Sequence, residues 1–196
     1  MDARQAILTR RSTRRFLDKP IDDETLKEII EAGRYAPSGG NSQSNRFFVI
    51  RDRKILDQLV EMVKDSFSKM EVYEGMYKSM ATSITLSKSG NYVFHYNPPC
   101  LIVLANKKDY GNNLADVACA LENMMVYANA KELGSCWINQ LRWLNEDEKL
   151  LKLFYSFGMK EDERIYGALA LGYPDSEDGL PERRQVERKG NEVIYI

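Results

Sequence analysis

Pro98-Pro99-Cys100-Leu101-Ile102-Val103-Leu104 sets five consecutive apolar residues behind a proline pair. A run without polar alternation predicts a central strand buried on both faces of a sheet. Leu114 to Leu133, rich in Ala and Met, predicts a long helix closed by Gly134 as its C-terminal cap. Ser135-Cys136-Trp137-Ile138 then reads as a short strand. Upstream, Phe47 to Ile50 reads as a buried strand, and Ile55, Leu59, Met62 and Val63 mark a helix. Downstream, Asn145 with Glu148 forms a capping box for a helix through Phe154. Ile165 to Leu171 is a strand closed by Gly172, and Glu192 to Ile196 a last strand. At the N-terminus, Asp2 with Gln5 and the Pro20 to Glu24 segment open two further helices, the second ending before Pro37. Strands and helices mix without strict alternation, which is the α+β class.

Composition narrows the function classes. The 196 residues carry 28 Lys+Arg against 29 Asp+Glu, one His and a net charge of -1. One domain over 1–196 is expected at this length. Near-neutral charge argues against nonspecific nucleic-acid binding. No apolar run approaches the roughly 20 residues of a membrane span, and the first residues do not read as a signal peptide. Cys100, Cys119 and Cys136 are odd in number and widely spaced, as expected of reduced thiols in a cytoplasmic protein. Residues 65–91 have weak periodicity and read as a mobile helical excursion or lid. Residues 179–196 read as a polar, extended arm that carries the last strand toward another subunit.

Several chemistries lack their motifs. There is no G-x-G-x-x-G, no P-loop, no zinc spacing of Cys or His, and no nucleophile elbow; His95 is the only histidine. A cofactor enzyme or a binding protein remains.

Four segments carry candidate chemistry. Arg10-Arg11-Ser12-Thr13-Arg14-Arg15-Phe16 offers forked donors and hydroxyls that suit a phosphate monoester; a solvated basic helix end reads the same way. Pro37-Ser38-Gly39-Gly40-Asn41-Ser42-Gln43 allows close backbone approach and presents amides to a heterocycle edge, or is a polar surface loop. Leu133 to Gln140 leaves a strand with free backbone N–H groups, or is a core strand with a buried Trp. Pro181-Glu182-Arg183-Arg184 is a late basic pair or a charged tail. His95 is a ligand contact or a satisfied structural histidine.

In this order, RRSTRRF, APSGGNSQ and LGSCWI resemble the nitroreductase family of flavin oxidoreductases, from about Arg4 to Arg184. The resemblance implies an α+β sandwich around a mixed central sheet flanked by helices, built as an intertwined homodimer with an exchanged C-terminal segment. It implies two FMN sites at the dimer interface. Arg10, Arg11, Ser12 and Arg14 would hold the phosphate and ribityl chain, with Arg183 or Arg184 completing the pocket. Pro37, Ser38, Gly39, Asn41 and Gln43 of the other subunit would border the ring. His95 would contact its pyrimidine side. Asn139, Gln140 and Leu141, in the loop after Trp137, would offer backbone N–H to N5. No metal is implied.

The same resemblance implies ping-pong hydride transfer from NADH or NADPH, through flavin N5, to a nitroaromatic, quinone or related small-molecule acceptor. Divergent flavin chemistry of a reductive-dehalogenase kind, or flavin binding without catalysis, are the alternatives. One departure stands out: the family often continues the glycine loop as Gln-Pro-Trp, whereas Gln43 is followed here by Ser44 and Asn45.

Overall fold

The computed structural model describes residues 1–196. Its elements are α1 (Ala3–Thr9), α2 (Asp23–Arg34), a 3-10 turn (Gly39–Asn41), β1 (Arg46–Ile50), α3 (Arg53–Ser68), α4 (Lys78–Lys88), β2 (Cys100–Lys107), α5 (Asn113–Ala130), β3 (Gly134–Ile138), α6 (Gln140–Trp143), α7 (Glu148–Ser156) and β4 (Glu163–Gly172). The strands make one sheet in the order β1-β2-β4-β3, with every neighbouring pair antiparallel. Parallel pairing within the chain is confined to a single bridge between Ser12 and Ser135.

Helices cover both faces of the sheet. Along β2, Leu101, Val103 and Ala105 enter one core with α3 and α7, while Cys100, Ile102 and Leu104 enter the other with α2 and α5. This double cover explains a continuous apolar run in an antiparallel strand, a pattern more usual in parallel sheets. β1 lies at an edge. Phe48 and Ile50 are buried but Val49 is 37% exposed, so this segment is half-buried rather than buried as expected. α1 and α2 begin as the sequence indicates: Asp2 accepts the Gln5 N–H and Asp22 the Thr25 N–H, both at 2.8 Å.

Two expectations about helix caps change. α5 stops at Ala130, and the left-handed turn after it falls on Glu132 (φ 65°), so Gly134 is not its cap. Gly134 opens β3 instead, where a Cβ would lie 2.6 Å from Thr13 Cγ2 and Oγ1. Thr13 has little room to retreat, because its N–H donates to Ser135 O at 2.9 Å. Gly134→Ala is therefore expected to lower stability by about 1–3 kcal/mol. Urea unfolding checks this; an unchanged midpoint would show that Thr13 yields freely. Asp147, not Asn145, caps α7, accepting from Lys149 N and Leu150 N at 3.0 and 3.1 Å. Asn145 is occupied elsewhere, donating to Ile165 O on β4 at 3.3 Å.

The C-terminal arm stays outside the sheet of its own chain. Glu192 to Ile196 pairs with nothing in its own chain, and Val193, Ile194, Tyr195 and Ile196 are exposed. A strand requires a hydrogen-bonded neighbour, and no edge within the chain supplies one here. In the 65–91 region, α3 continues to Ser68, and α4 tucks Ser83, Ile84 and Ser87 inward. No helix is long and apolar enough to cross a membrane.

Candidate functional site

The segment after α1 is laced to the β3–β4 end of the sheet. Thr13 N–H reaches Ser135 O, Leu17 N–H reaches Tyr173 O at 2.9 Å, and Phe16 bridges Pro174. This lacing fixes the arginines. Arg10 is half-buried; its Nε lies 3.9 Å from Glu122 Oε1 on α5, and its Nη1 is buried with no partner. Arg11 folds back on α1, donating from Nη2 to Leu8 O at 3.0 Å and from Nη1 to Arg10 O, and its Nε is buried without an acceptor. Much of Arg11 therefore caps a helix end. Arg14 is exposed, with its guanidinium 5.8 Å above the Tyr96 ring. Burial pushes the Cys136 thiol up, against the opposing pull of Arg14, Ser12 and Arg10, which all converge on the start of β3.

The two late arginines separate. Arg183 turns inward: Nη2 donates to Asn129 O at 2.9 Å, Nη1 lies 3.9 Å from Glu132, and Nε is buried without a partner. Arg184 turns outward and pairs with Glu182 at 2.6 Å. Asn129 joins this junction to α1, donating to Ala6 O and Thr9 Oγ1 at 3.0 Å. Sequence reading missed Asn129. Its signal was an amide next to Ala128, continuing the buried face of Leu121, Met124 and Met125 on α5.

The glycine loop is built at the other end of α5. Gly39 N–H and the Ser42 hydroxyl donate to the two oxygens of Asp116, at 3.0 and 3.2 Å. Tyr110 OH donates to Gly39 O at 2.9 Å, and Ser38 Oγ accepts the Gln43 N–H at 3.0 Å. Gly40, Asn41 and Gln43 have φ of 57°, 54° and 48°. Pro37, Asn41 and Gln43 are exposed; Gln43 Nε2 donates to Asn41 Oδ1 at 3.1 Å. Ser44 and Asn45 turn to a buried polar ladder instead of presenting a ring. Ser44 donates to Asn106 Oδ1 at 2.9 Å, Asn106 donates to Asn45 Oδ1 at 2.8 Å, and Asn45 donates to Asp116 O at 3.0 Å. Asn106 and Asp116 were also missed; each is a polar residue in or beside an apolar run.

The α6 entrance presents backbone donors. Asn139 takes the helix-entry position and its Oδ1 accepts the Trp137 indole N–H at 2.8 Å. The N–H groups of Gln140, Leu141 and Arg142 have no backbone acceptor, as at any helix start. The Leu141 side chain is wholly buried, while Gln140 Nε2 donates to Tyr92 OH at 2.6 Å. His95 is a correction. It is fully buried, its Nδ1 accepts the Asn97 N–H at 3.1 Å, and its Nε2 lies 3.3 Å from Leu56 O. Both ring nitrogens are occupied by backbone, so His95 has no face for a ligand. Burial holds its pKa down at about 4. Cys100 is likewise buried, its thiol pushed up to about 12, whereas Cys119 is exposed.

The chain sets Arg10 and Arg183 against α5, keeps Arg11 on the end of α1, and places Ser12 by β3 and Arg14 over Tyr96. It holds the glycine loop apart from them: Asp116 and Asn129 lie 13 residues apart on α5, or about 20 Å at 1.5 Å per residue.

The model of the Nitroreductase family matches residues 7–173. A relative from Archaeoglobus fulgidus, whose name gives NADH dehydrogenase/NAD(P)H nitroreductase, is 28% identical over 171 residues, covering 87% of this chain and 84% of its own. A nitrobenzene nitroreductase of Ectopseudomonas oleovorans is 25% identical, covering 91% of this chain and 88% of its own. A solved nitroreductase with bound FMN from Bacteroides fragilis superposes with a TM-score of 0.85 at 30% identity, covering 100% of both chains. From the first arginine cluster through the end of β4, this chain belongs to the nitroreductase family.

Proposed function

We propose that this protein is an FMN-dependent oxidoreductase that takes reducing equivalents from NADH or NADPH and delivers them to nitroaromatic, quinone or related acceptors. The observation that carries this reading is the group of guanidinium nitrogens left buried without an acceptor: Arg10 Nη1, Arg11 Nε and Arg183 Nε. Each unpaired charged donor costs more than the roughly 1–3 kcal/mol of a neutral one. An anion with several oxygens satisfies them together, and a phosphate monoester does so at a site where Ser12 and Arg14 also converge. The residues present therefore fit the FMN phosphate.

In this reading Arg10, Ser12, Arg14 and Arg183 hold the phosphate end, while Arg11 contributes Nε and braces α1. Asn139, Gln140 and Leu141 present backbone N–H groups toward the ring. Pro37, Ser38, Gly39, Asn41 and Gln43 border the ring from a second copy, because their own chain holds them about 20 Å along α5 from the arginine junction. Bound FMN supplies hydride acceptance and donation. The protein's part is binding, orientation and fixed dipoles, and no side chain need act as a general acid.

A homodimer fits three further features. A cleft of about 1220 Å³ between α1, α2 and α5 is lined by Ile7, Ile30, Val126 and Tyr127 among others. β1 leaves one strand edge open. The Val193–Ile196 segment is apolar and exposed. A second copy that lays this segment along β1 pairs that edge, buries the segment and supplies the further strand of a mixed sheet.

The test is an absorption spectrum of the purified protein with FMN, before and after NADH or NADPH, alongside its mass in solution. Flavin bands that one nicotinamide bleaches, and that return on adding a nitroaromatic or quinone, are expected from a dimer. A protein that retains no flavin after addition of FMN would sink the reading. Flavin that neither nicotinamide bleaches would leave cofactor binding intact and remove the proposed donor.

A further inference from the structure

We propose that Asp116 is a positioning residue: its buried carboxylate sets the 38–43 loop in its ligand-ready shape before any cofactor arrives. The inference rests on the reading above that this loop borders the flavin ring.

The loop's backbone is unfavourable by itself. Asn41 and Gln43 lack glycine's freedom, yet both sit in the left-handed region next to Gly40. Such conformations persist only where the surroundings over-determine them. Here the surroundings are polar tethers to Asp116, with Tyr110 OH on Gly39 O and Ser38 Oγ on the Gln43 N–H beside them. Asp116 is 4% exposed, and each of its carboxylate oxygens takes one loop donor, Gly39 N–H and the Ser42 hydroxyl. Its own backbone carbonyl receives Asn45 Nδ2, which fixes the far end of the loop. Asp116 also stands in the first turn of α5, where the helix dipole favours a negative charge. The carboxylate is therefore held in the position the loop requires, with both oxygens engaged by the loop.

The space around the loop is equally restrictive. A Cβ at Gly39 would lie 2.2 Å from Asn112 Nδ2 and 2.5 Å from Tyr110 OH. The bare backbone is drawn against the start of α5, held by Asp116 at Gly39 N–H and by Tyr110 OH at Gly39 O. The exposed amides of Asn41 and Gln43 then project from a fixed base. A ligand meeting them encounters a preformed edge rather than a loop that must be ordered on binding.

The experiment has two readouts on Asp116→Ala, Asp116→Asn and Ser42→Ala. The first is amide exchange of Gly39 by NMR in the flavin-free protein. The second is the Kd for FMN. Asp116→Ala is expected to speed Gly39 exchange at least about tenfold and to weaken FMN about tenfold. Asp116→Asn keeps an acceptor for Gly39 N–H and should restore most of both. Ser42→Ala, which removes one tether at an exposed position, should give a smaller change in the same direction and covers the case in which Asp116→Ala fails to fold. Unchanged exchange in a folded Asp116→Ala protein overturns the tether. Faster exchange with unchanged FMN affinity overturns its link to the cofactor. If wild-type protein binds no FMN, the cofactor reading itself fails, and the exchange data show this separately because they are taken without flavin.

Discussion

Arg10→Met is expected to weaken FMN binding by about 10- to 150-fold while leaving the flavin-free protein at least as stable as wild type. The two halves have one cause. In the free chain Arg10 Nη1 is buried without an acceptor, and the nearest carboxylate, on Glu122, is 3.9 Å from Nε. Methionine keeps the apolar stem and removes the unpaired donors, so folding loses little and sheds a desolvation cost. A bound phosphate loses a charge-assisted hydrogen bond, worth about 1.5–3 kcal/mol. Flavin titration and urea unfolding of the same samples measure both. Adding Arg183→Met should deepen the affinity loss, although that change also breaks the bond to Asn129 O. A variant that binds FMN as tightly as wild type would remove Arg10 from the phosphate pocket. A markedly less stable apoprotein would show that Arg10 is structural instead.

The second large effect concerns acid. His95 is buried as the neutral ring, with a pKa of about 4 against an ordinary 6.5. Between these values the unfolded chain binds a proton that the folded chain refuses. The stability contributed by neutral His95 is thus fully present above about pH 6.5 and is lost as pH falls toward 4, by about 3 kcal/mol across the window. The cause is desolvation first. The Leu56 carbonyl opposes the shift, Arg53 adds to it and Asp57 opposes it, all three on α3. His95→Gln offers an acceptor for Asn97 N–H and a donor for Leu56 O without titrating. Urea unfolding at pH 7 and pH 4.5 should show wild type losing more stability than His95→Gln, by up to that amount. Parallel losses would mean that another group carries the acid sensitivity. The consequence reaches the site, because His95 pins the left-handed turn at Tyr96 and Asn97 (φ 64° and 52°), and Tyr96 carries the ring beneath Arg14.

Legibility in the sequence follows the range of the interactions. The central strand, the long helix and the helix starts at Asp2 and within Pro20–Glu24 are readable, because apolar runs and helix-start signals are decided within a few residues. The cap of α5 was misplaced because Gly134 is small for a reason outside its neighbourhood: Thr13 occupies the space. Asn145 reads as a cap because nothing near it in sequence shows that Ile165 O claims its amide. His95 stood in a plausible ligand position, and only its burial against α3 reveals a structural role.

The sequence by itself determined the α+β class, the family, and the segments that bear the arginine cluster, the glycine loop and the backbone donors after β3. Those depend on residue type, order and local spacing. Tertiary structure decided which side chains those segments leave free. It turned Arg183 inward and Arg184 outward, bent Arg11 back onto α1, and closed His95 off from any surface. It also placed Asp116, Asn129 and Asn106 where loop, helix and strand meet. Whether a buried donor has an acceptor depends on groups distant in the chain but adjacent in space, and hydrogen bonding is settled only once packing has brought them together.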